Sequence, residues 1–422
     1  MEFHQFRLPN GVPVVEYPMP STMSVCLAVS FSFGSRHESK EYNGMGHFLE
    51  HLLFRGSERY PKIAQVVESA GGRKNGFTAQ ETMLYFIHVP DGKTKLAAQV
   101  LSDMLTKPLF RPSDIEVERG VVEQELRGYL QSSADRAMES AVALYFGDHS
   151  MAQPITGPIR NLDRWTRENF QDFFKTFYCA ERAHVAVAGN IDVTTIGDLL
   201  SPFESITQND SYQNVSDPPI PPLVSRVAIH RMKEREQAHF YMLLPGPIYM
   251  HPLRRAVGQA VDVFGQGMSS RLERILRDEL GIVYQVGASL SASQDFGILE
   301  IAGSTSPEKL ASCVRRIIKE LQFLSVQGVT RSEYLRVKSM RTARIMMTSY
   351  SPEGLARRNA TVMALGMPVY TPHERIAHER AVRYAEVNEA ARLFFSPSVV
   401  TLAVAGNVKE SEQELLDIIQ NA

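Results

Sequence analysis

Cysteine is scarce. Cys26, Cys179 and Cys313 are the only three in 422 residues, far apart and odd in number. They make neither a disulfide framework nor a CxxC metal site, and read as reduced thiols in or near a core. An excess of either charge is also lacking: 45 Lys and Arg against 47 Asp and Glu leave a net charge of -2. No basic footprint therefore argues for nucleic acid. No apolar run approaches the roughly 18 residues of a membrane span. The opening MEFHQFRLPNGVPVVEYP has no basic stretch followed by an apolar one, so it does not read as a secretory signal. These absences make a cytoplasmic protein the expected reading. What is present, 44% hydrophobic and 22% charged residues, is an ordinary globular balance. The length suits roughly two to four domains.

The segment TQNDSYQNVSDPPIPP (207–222) is polar, then proline-rich, without helical or strand period. It reads as extended, solvated linker. The expected division is a first domain over 1–206, a linker over 207–223 and a second domain over 224–422. The halves look like diverged copies. HVAVAGNID (184–192) is echoed by TLAVAGNVK (401–409), and Gly189 and Gly406 lie 217 apart, as do Asn190 and Asn407. Each stretch is a β-rich apolar run ending in a Gly-Asn turn, preceded by an aromatic-rich helical stretch. Strands are expected at Val14–Tyr17, Val25–Ser32 and Thr82–Val89, and helices at Gly44–Arg55, Lys62–Ala70 and Lys93–Thr106. Ser113, with Glu116 three residues on, predicts a capping box opening a helix that runs to about Tyr129. Strands and helices alternate without a strict βαβ rhythm. The fold class predicted is therefore α+β: two homologous domains, each a mainly antiparallel sheet packed with helices.

The informative segment is GMGHFLEHLLF (44–54), which contains H-x-x-E-H. On a helix, His47 and His51 project from one face one turn apart, so that two nitrogens can reach one zinc ion at about 2.0–2.1 Å. Glu50 lies at the edge of that face and can reach a metal-activated water without being a ligand. This inverts the order of the H-E-x-x-H metalloprotease helix. Two histidines need a third ligand. The helix opening near Ser113 offers Glu116, Glu118, Glu123 and Glu125, of which Glu118 and Glu125, seven apart, return to nearly one face.

With these motifs, the chain resembles the pitrilysin, insulysin and mitochondrial processing peptidase family of zinc peptidases, in its short bacterial two-domain form. The matching stretches span most of the length. LPNGVPVV, FGSRHESKEYNGMGHFLEHLLFRGSERYP (33–61), NGFTAQETMLYF (75–86), EVERGVVEQEL (116–126) and GQGMSSRLERILRDELGIVYQV (265–286) follow in order. The family's third ligand falls roughly 75 residues after the second histidine, and Glu125 stands 74 after His51. The resemblance implies His47, His51 and Glu125 as ligands of one Zn2+ per chain, Glu50 as general base and Glu118 as an outer carboxylate. It also implies Asn75 and Thr78 at an edge to which substrate adds as a strand, where this chain has Asn-Gly against the Asn-Ala of many relatives. Arg277 and Tyr284 match the family's Arg-Tyr pair, which contacts the substrate carbonyl across a closed chamber.

The function expected is that of a zinc endopeptidase hydrolysing peptides or short unfolded polypeptides in such a chamber. The assembly expected is a homodimer with composite sites, His47, Glu50, His51 and Glu125 from one subunit and Arg277 and Tyr284 from the other. Two further readings share the sequence. One is a maturation peptidase that removes a leader from one precursor with a partner protein; the other is a non-catalytic peptide-binding relative.

Overall fold

The computed structural model describes residues 3–192, 194–209, 220–232 and 236–421. Most of the expected linker, residues 210–219, lies outside them. The chain forms two compact units. The first holds Met1–Leu126, Gln153–Asp217 and Ile345–Glu374; the second holds Arg127–Ala152, Pro218–Arg344 and Arg375–Ala422.

In the first unit, β1 (His4–Arg7), β2 (Pro13–Pro18), β3 (Ser24–Phe31), β4 (Arg73–Thr78), β5 (Met83–Pro90) and β6 (Ala183–Gly189) form one sheet. Its order is β1-β2-β6-β3-β5-β4, with only β2 and β6 parallel. Alternation along the strands divides the core. Val25, Leu27, Val29 and Phe31 of β3 join Phe48, Leu49, Leu101 and Phe170 from the helices on one face. Cys26 and Ala28 of β3, with Ala186 and Ala188 of β6, face the other way onto Leu355, Ala356 and Ala360 of the helix Pro352–Ala364. Those small strand residues let that helix close against the sheet, so the sheet is apolar on both faces.

In the second unit, β7 (Arg226–Arg231), β8 (Ala238–Pro245), β9 (Gln285–Ala292), β10 (Gly297–Thr305) and β11 (Thr401–Gly406) pair in the order β7-β11-β8-β10-β9, with β7 and β11 parallel. This repeats β2-β6-β3-β5-β4. Leu243, Ile298 and Ala403 of this sheet pack against Ala141, Tyr145 and Phe146 of the helix Ser133–Phe146.

The units thus depart from a cut at the linker. Each sheet buries one face under a helix from the other half of the chain, and segments 127–152 and 345–374 change sides. Composition at the linker cannot reveal this, because each helix presents an ordinary apolar stripe. One local expectation also shifts. The long helix runs Pro112–Gln131 and so starts before Ser113. Proline suits a first helical position, where its missing N–H is not needed. Glu273–Glu279 is a wide-turn helical segment, with Leu280 N donating to Ile275 O at 3.1 Å. The three cysteines are buried and unpaired. No helix among the described residues is long and apolar enough to cross a membrane.

Candidate metal centre

The helix Met45–Leu53 starts at Gly44, whose φ is 98°. A Cβ there would meet Thr156 O at 2.4 Å, so only glycine fits this entry. The first turn needs acceptors for its free N–H groups. Buried Glu38 supplies them: Oε2 accepts from Gly44 N and Oε1 from Gly46 N, each at 2.7 Å, and Asn43 Nδ2 adds a bond to Oε2 at 3.1 Å. Loss of hydration pushes the Glu38 carboxyl up to about 7 despite these three donors. Met45, Phe48, Leu49, Leu52 and Leu53 bury the remaining faces.

His47 and His51 stand one turn apart, ring centroids 4.9 Å from each other. The helix Pro112–Gln131 brings Glu125 against both. His47 Nε2 lies 3.7 Å from Glu125 Oε1, and His51 Nε2 lies 3.6 Å from Oε2. Among the described residues these three side chains are the group able to hold a metal ion, with ligand atoms within 4.8 Å of one another. The separations are too long for hydrogen bonds. They match the edge of about 3.4 Å of a tetrahedron with arms of about 2.0–2.1 Å, the zinc–nitrogen and zinc–oxygen lengths. Two imidazoles and one carboxylate are also the donor set of catalytic zinc sites. The residues fit the ion.

Neighbouring groups set the protonation. Burial pushes His47 down to about 4, leaving the neutral imidazole that a metal requires. Its Nδ1 is buried without a hydrogen-bond partner among the described residues. His51 differs: its Nδ1 lies 3.1 Å from Glu118 Oε2, and that bond raises its pKa. Burial alone would raise Glu118. The bonds from His51 and from Arg55 Nε, which donates to the other oxygen, more than offset it and hold the carboxyl below its usual range. Arg55 escaped the sequence reading, although it stands four residues beyond His51 and so one turn along the same face.

Glu50 is a partner of Thr78, whose Oγ1 donates to Oε2 at 2.6 Å. Burial raises the Glu50 carboxyl, and that bond opposes the rise. Thr78 ends β4, the edge strand, where Lys74, Gly76 and Thr78 share one face. A Cβ on Gly76 would meet Glu50 Cγ at 2.9 Å and Oε1 at 3.0 Å, so the Asn-Gly of this chain gives room to the carboxylate. Asn75 is exposed, its Oδ1 accepting from Gly76 N at 3.0 Å. Arg277 and Tyr284 belong to the second unit and are open to solvent: the Arg277 side chain is 52% exposed, 3.3 Å from Glu273, and Tyr284 is 57% exposed. Tyr284 N donates to Ser304 O at 2.9 Å, just before β9.

Comparison with known proteins gives two family matches: insulinase, peptidase family M16, over residues 14–159, and the M16 peptidase inactive domain over 164–341. A protein of Bacillus subtilis named an uncharacterized zinc protease is 29% identical over 408 residues, 96% of this chain and 99% of its own. One of Mycobacterium tuberculosis with the same description is 30% identical over 407 residues, 92% and 90% of the two chains. Among solved structures, a protease from Helicobacter pylori has a TM-score of 0.88 at 20% identity, covering 96% of this chain and 99% of that one. A peptidase M16 inactive domain from Pseudomonas fluorescens also has a TM-score of 0.88, at 15% identity, covering 98% and 99%.

Proposed function

The chain belongs to the M16 insulinase family of peptidases, and on that premise we propose that it is a zinc endopeptidase acting on peptides or short unfolded polypeptides. The observation that carries the reading is the meeting of His47, His51 and Glu125 within 4.8 Å, beside a Glu50 that takes no part in that cluster. His47 Nε2, His51 Nε2 and the Glu125 carboxylate would hold one ion. Zinc bound there would supply Lewis acidity, lowering the pKa of water to about 7 and polarising the scissile carbonyl.

The chain's own residues do the rest. Glu50 takes a proton from the attacking water and delivers it to the leaving amine nitrogen. Burial raises its pKa, the direction that suits a group that must take up a proton and give it back. Thr78 holds Oε2 and leaves Oε1 for this exchange. Glu118 fixes the orientation of the His51 ring and raises its basicity. The free edge of β4 takes the substrate backbone as an added strand, with Asn75 and Thr78 beside it. Arg277 and Tyr284 of a second subunit complete each site in a homodimer that encloses the substrate, the phenol donating to the carbonyl oxygen as charge develops.

The test is metal content together with cleavage of a quenched fluorogenic peptide. The expected result is about one zinc per chain, chelator-sensitive turnover, and a Glu50→Gln variant that keeps zinc and loses turnover. Wild-type protein with neither zinc nor turnover overturns the reading, and turnover confined to one precursor redirects it to maturation. Mixing inactive His51→Ala and Arg277→Ala subunits tests the shared site. Activity returns if each site draws on two chains, and its failure to return after verified exchange sinks that arrangement.

A further inference from the structure

Beside Glu50 and His51 lies a cavity of about 580 Å³, whose wall includes Phe54, Lys62, Ile63 and Lys74. Its two carboxylates are already engaged, Glu118 with His51 and Arg55 and Glu50 with Thr78. Lys62 and Lys74 have no salt bridge among the described residues, and with Arg55 they set three cationic side chains in the wall against the two carboxylates. Lys74 is the more consequential. It is half-buried on β4 with Nζ 4.1 Å from the Phe54 ring centroid, a cation held over an aromatic face. Burial lowers its pKa, opposed by the field of Glu68. An ammonium kept in such a place gains most from an anion that shares its low-dielectric surroundings.

Position links this cavity to the chemistry. Lys74 stands two residues from Gly76, the residue that abuts Glu50, on the same face of the edge strand. Two residues of strand span about 7 Å. A peptide added to β4 with its scissile bond at the level of Glu50 therefore passes Lys74 within about two residues, and in strand addition the alternate side chains enter pockets that set specificity. Resting on the peptidase reading above, we propose that this cavity receives a substrate side chain within two residues of the cut, and that Lys74, with exposed Lys62, makes it select an acidic one. The ligand class is a side-chain carboxylate, Asp or Glu.

The experiment maps cuts in a mixed peptide library by mass spectrometry. It then compares peptides that differ only by Glu or Gln at the indicated position. Acidic residues should be enriched at one position within two residues of the cut, and kcat/KM should favour Glu over Gln on the order of tenfold to a hundredfold, the range for a hydrogen bond to a charged group. Lys74→Met should bring that ratio towards one, Lys74→Arg should keep it, and Lys62→Glu should reduce it; added salt should weaken it. Cleavage without acidic preference, or a preference untouched in Lys74→Met, refutes the proposal and leaves the peptidase reading intact. If no peptide is cut, that reading fails on its own. The same labelled Glu and Gln peptides, titrated onto zinc-loaded Glu50→Gln protein with and without Lys74→Met, still decide the matter: equal binding of the two peptides refutes the acidic subsite.

Discussion

Glu38 lies outside the cluster of ligands, yet it holds the N-terminus of the helix that bears two of them. Replacing it by alanine removes the acceptor of Gly44 N and Gly46 N in a fully buried place. A buried donor left without a partner costs about 1–3 kcal/mol, so two cost about 2–6 kcal/mol. Asn43 is a lesser loss, because its amide also donates to Pro154 O at 2.9 Å. Removing a group that is itself costly to bury returns part of the sum, which leaves about 2–4 kcal/mol. For a unit of this size that is a fall in Tm of roughly 4–16 °C. His47 sits at the third position of the same helix, so fraying of the first turn should also weaken zinc binding. The assay is differential scanning calorimetry of the zinc-free protein at pH 6, joined to competition against a zinc-chelating indicator. A Glu38→Ala protein whose Tm moves by less than 1 °C and whose zinc affinity equals the parent's would refute the argument.

The same residue has a pH signature. Its folded pKa of about 7 lies above the ordinary 4.5, so its contribution to stability is fully present below about pH 4.5 and is lost as pH rises through 7. The difference in unfolding free energy between wild type and Glu38→Gln should therefore drift against the wild type by about 3 kcal/mol from pH 4.5 to 8, which denaturant titrations at each pH will read. Glu118→Ala strips His51 Nδ1 of its acceptor and should lower zinc affinity about tenfold to a hundredfold in the same competition assay. Gly76→Val crowds Glu50 without touching a ligand. Its zinc content should match the parent while kcat falls at least about tenfold, since the base is displaced from its working position.

How much of this was legible in the sequence depends on how far apart the interacting residues lie. His47, Glu50 and His51 are readable because helical spacing alone puts them on one face, and their helix is bounded by glycine and buried leucines. The choice of Glu125 over Glu116, Glu118 and Glu123 came from the family resemblance, because heptad spacing leaves two of the four carboxylates equivalent. Gly-Asn after an aromatic helix marked β6 and β11 well, and the alternation of TMLYFIHV marked β5. What escaped is held by contacts with no local period. Glu38 reaches back to a helix that starts seven residues later, and nothing in SRHESKEY announces a cap. No strand was expected around Lys74, and its ammonium meets the Phe54 ring only once the edge strand and the helix are folded together. The exchange of the helices Ser133–Phe146 and Pro352–Ala364 between the two halves of the chain rests on ordinary apolar packing, against Leu243, Ile298 and Ala403 in one case and Ala28, Ala186 and Ala188 in the other, a signal that any buried strand carries.

One topology recurs in both units, yet among the described residues the three-residue cluster able to hold a metal ion occurs in the first. In element order, the helix Arg254–Gly265 is the counterpart of Met45–Leu53, and Arg331–Thr348 that of Pro112–Gln131. In the first unit this pair of helices sets two imidazoles opposite a carboxylate and leaves space for a dication. In the second, the partners are charged the other way round. Asp262 comes from the first helix and Arg341 from the second, whose Nη1 donates to Asp262 Oδ2 at 2.9 Å and to Gly258 O at 3.2 Å, while Nε donates to Glu379 Oε2 at 2.8 Å. Gln259 completes the bonding of Glu379 at 3.2 Å. A guanidinium has five donors in a fixed fork and stays charged, so Arg341 bonds both buried carboxylates without a diffusible ion, while Arg255, 3.9 Å from Glu379, and Arg344, 3.8 Å from Asp262, add the further positive charge. The cation has become part of the chain. The second unit therefore has no vacant coordination position of the kind on which the hydrolytic chemistry proposed for the first depends.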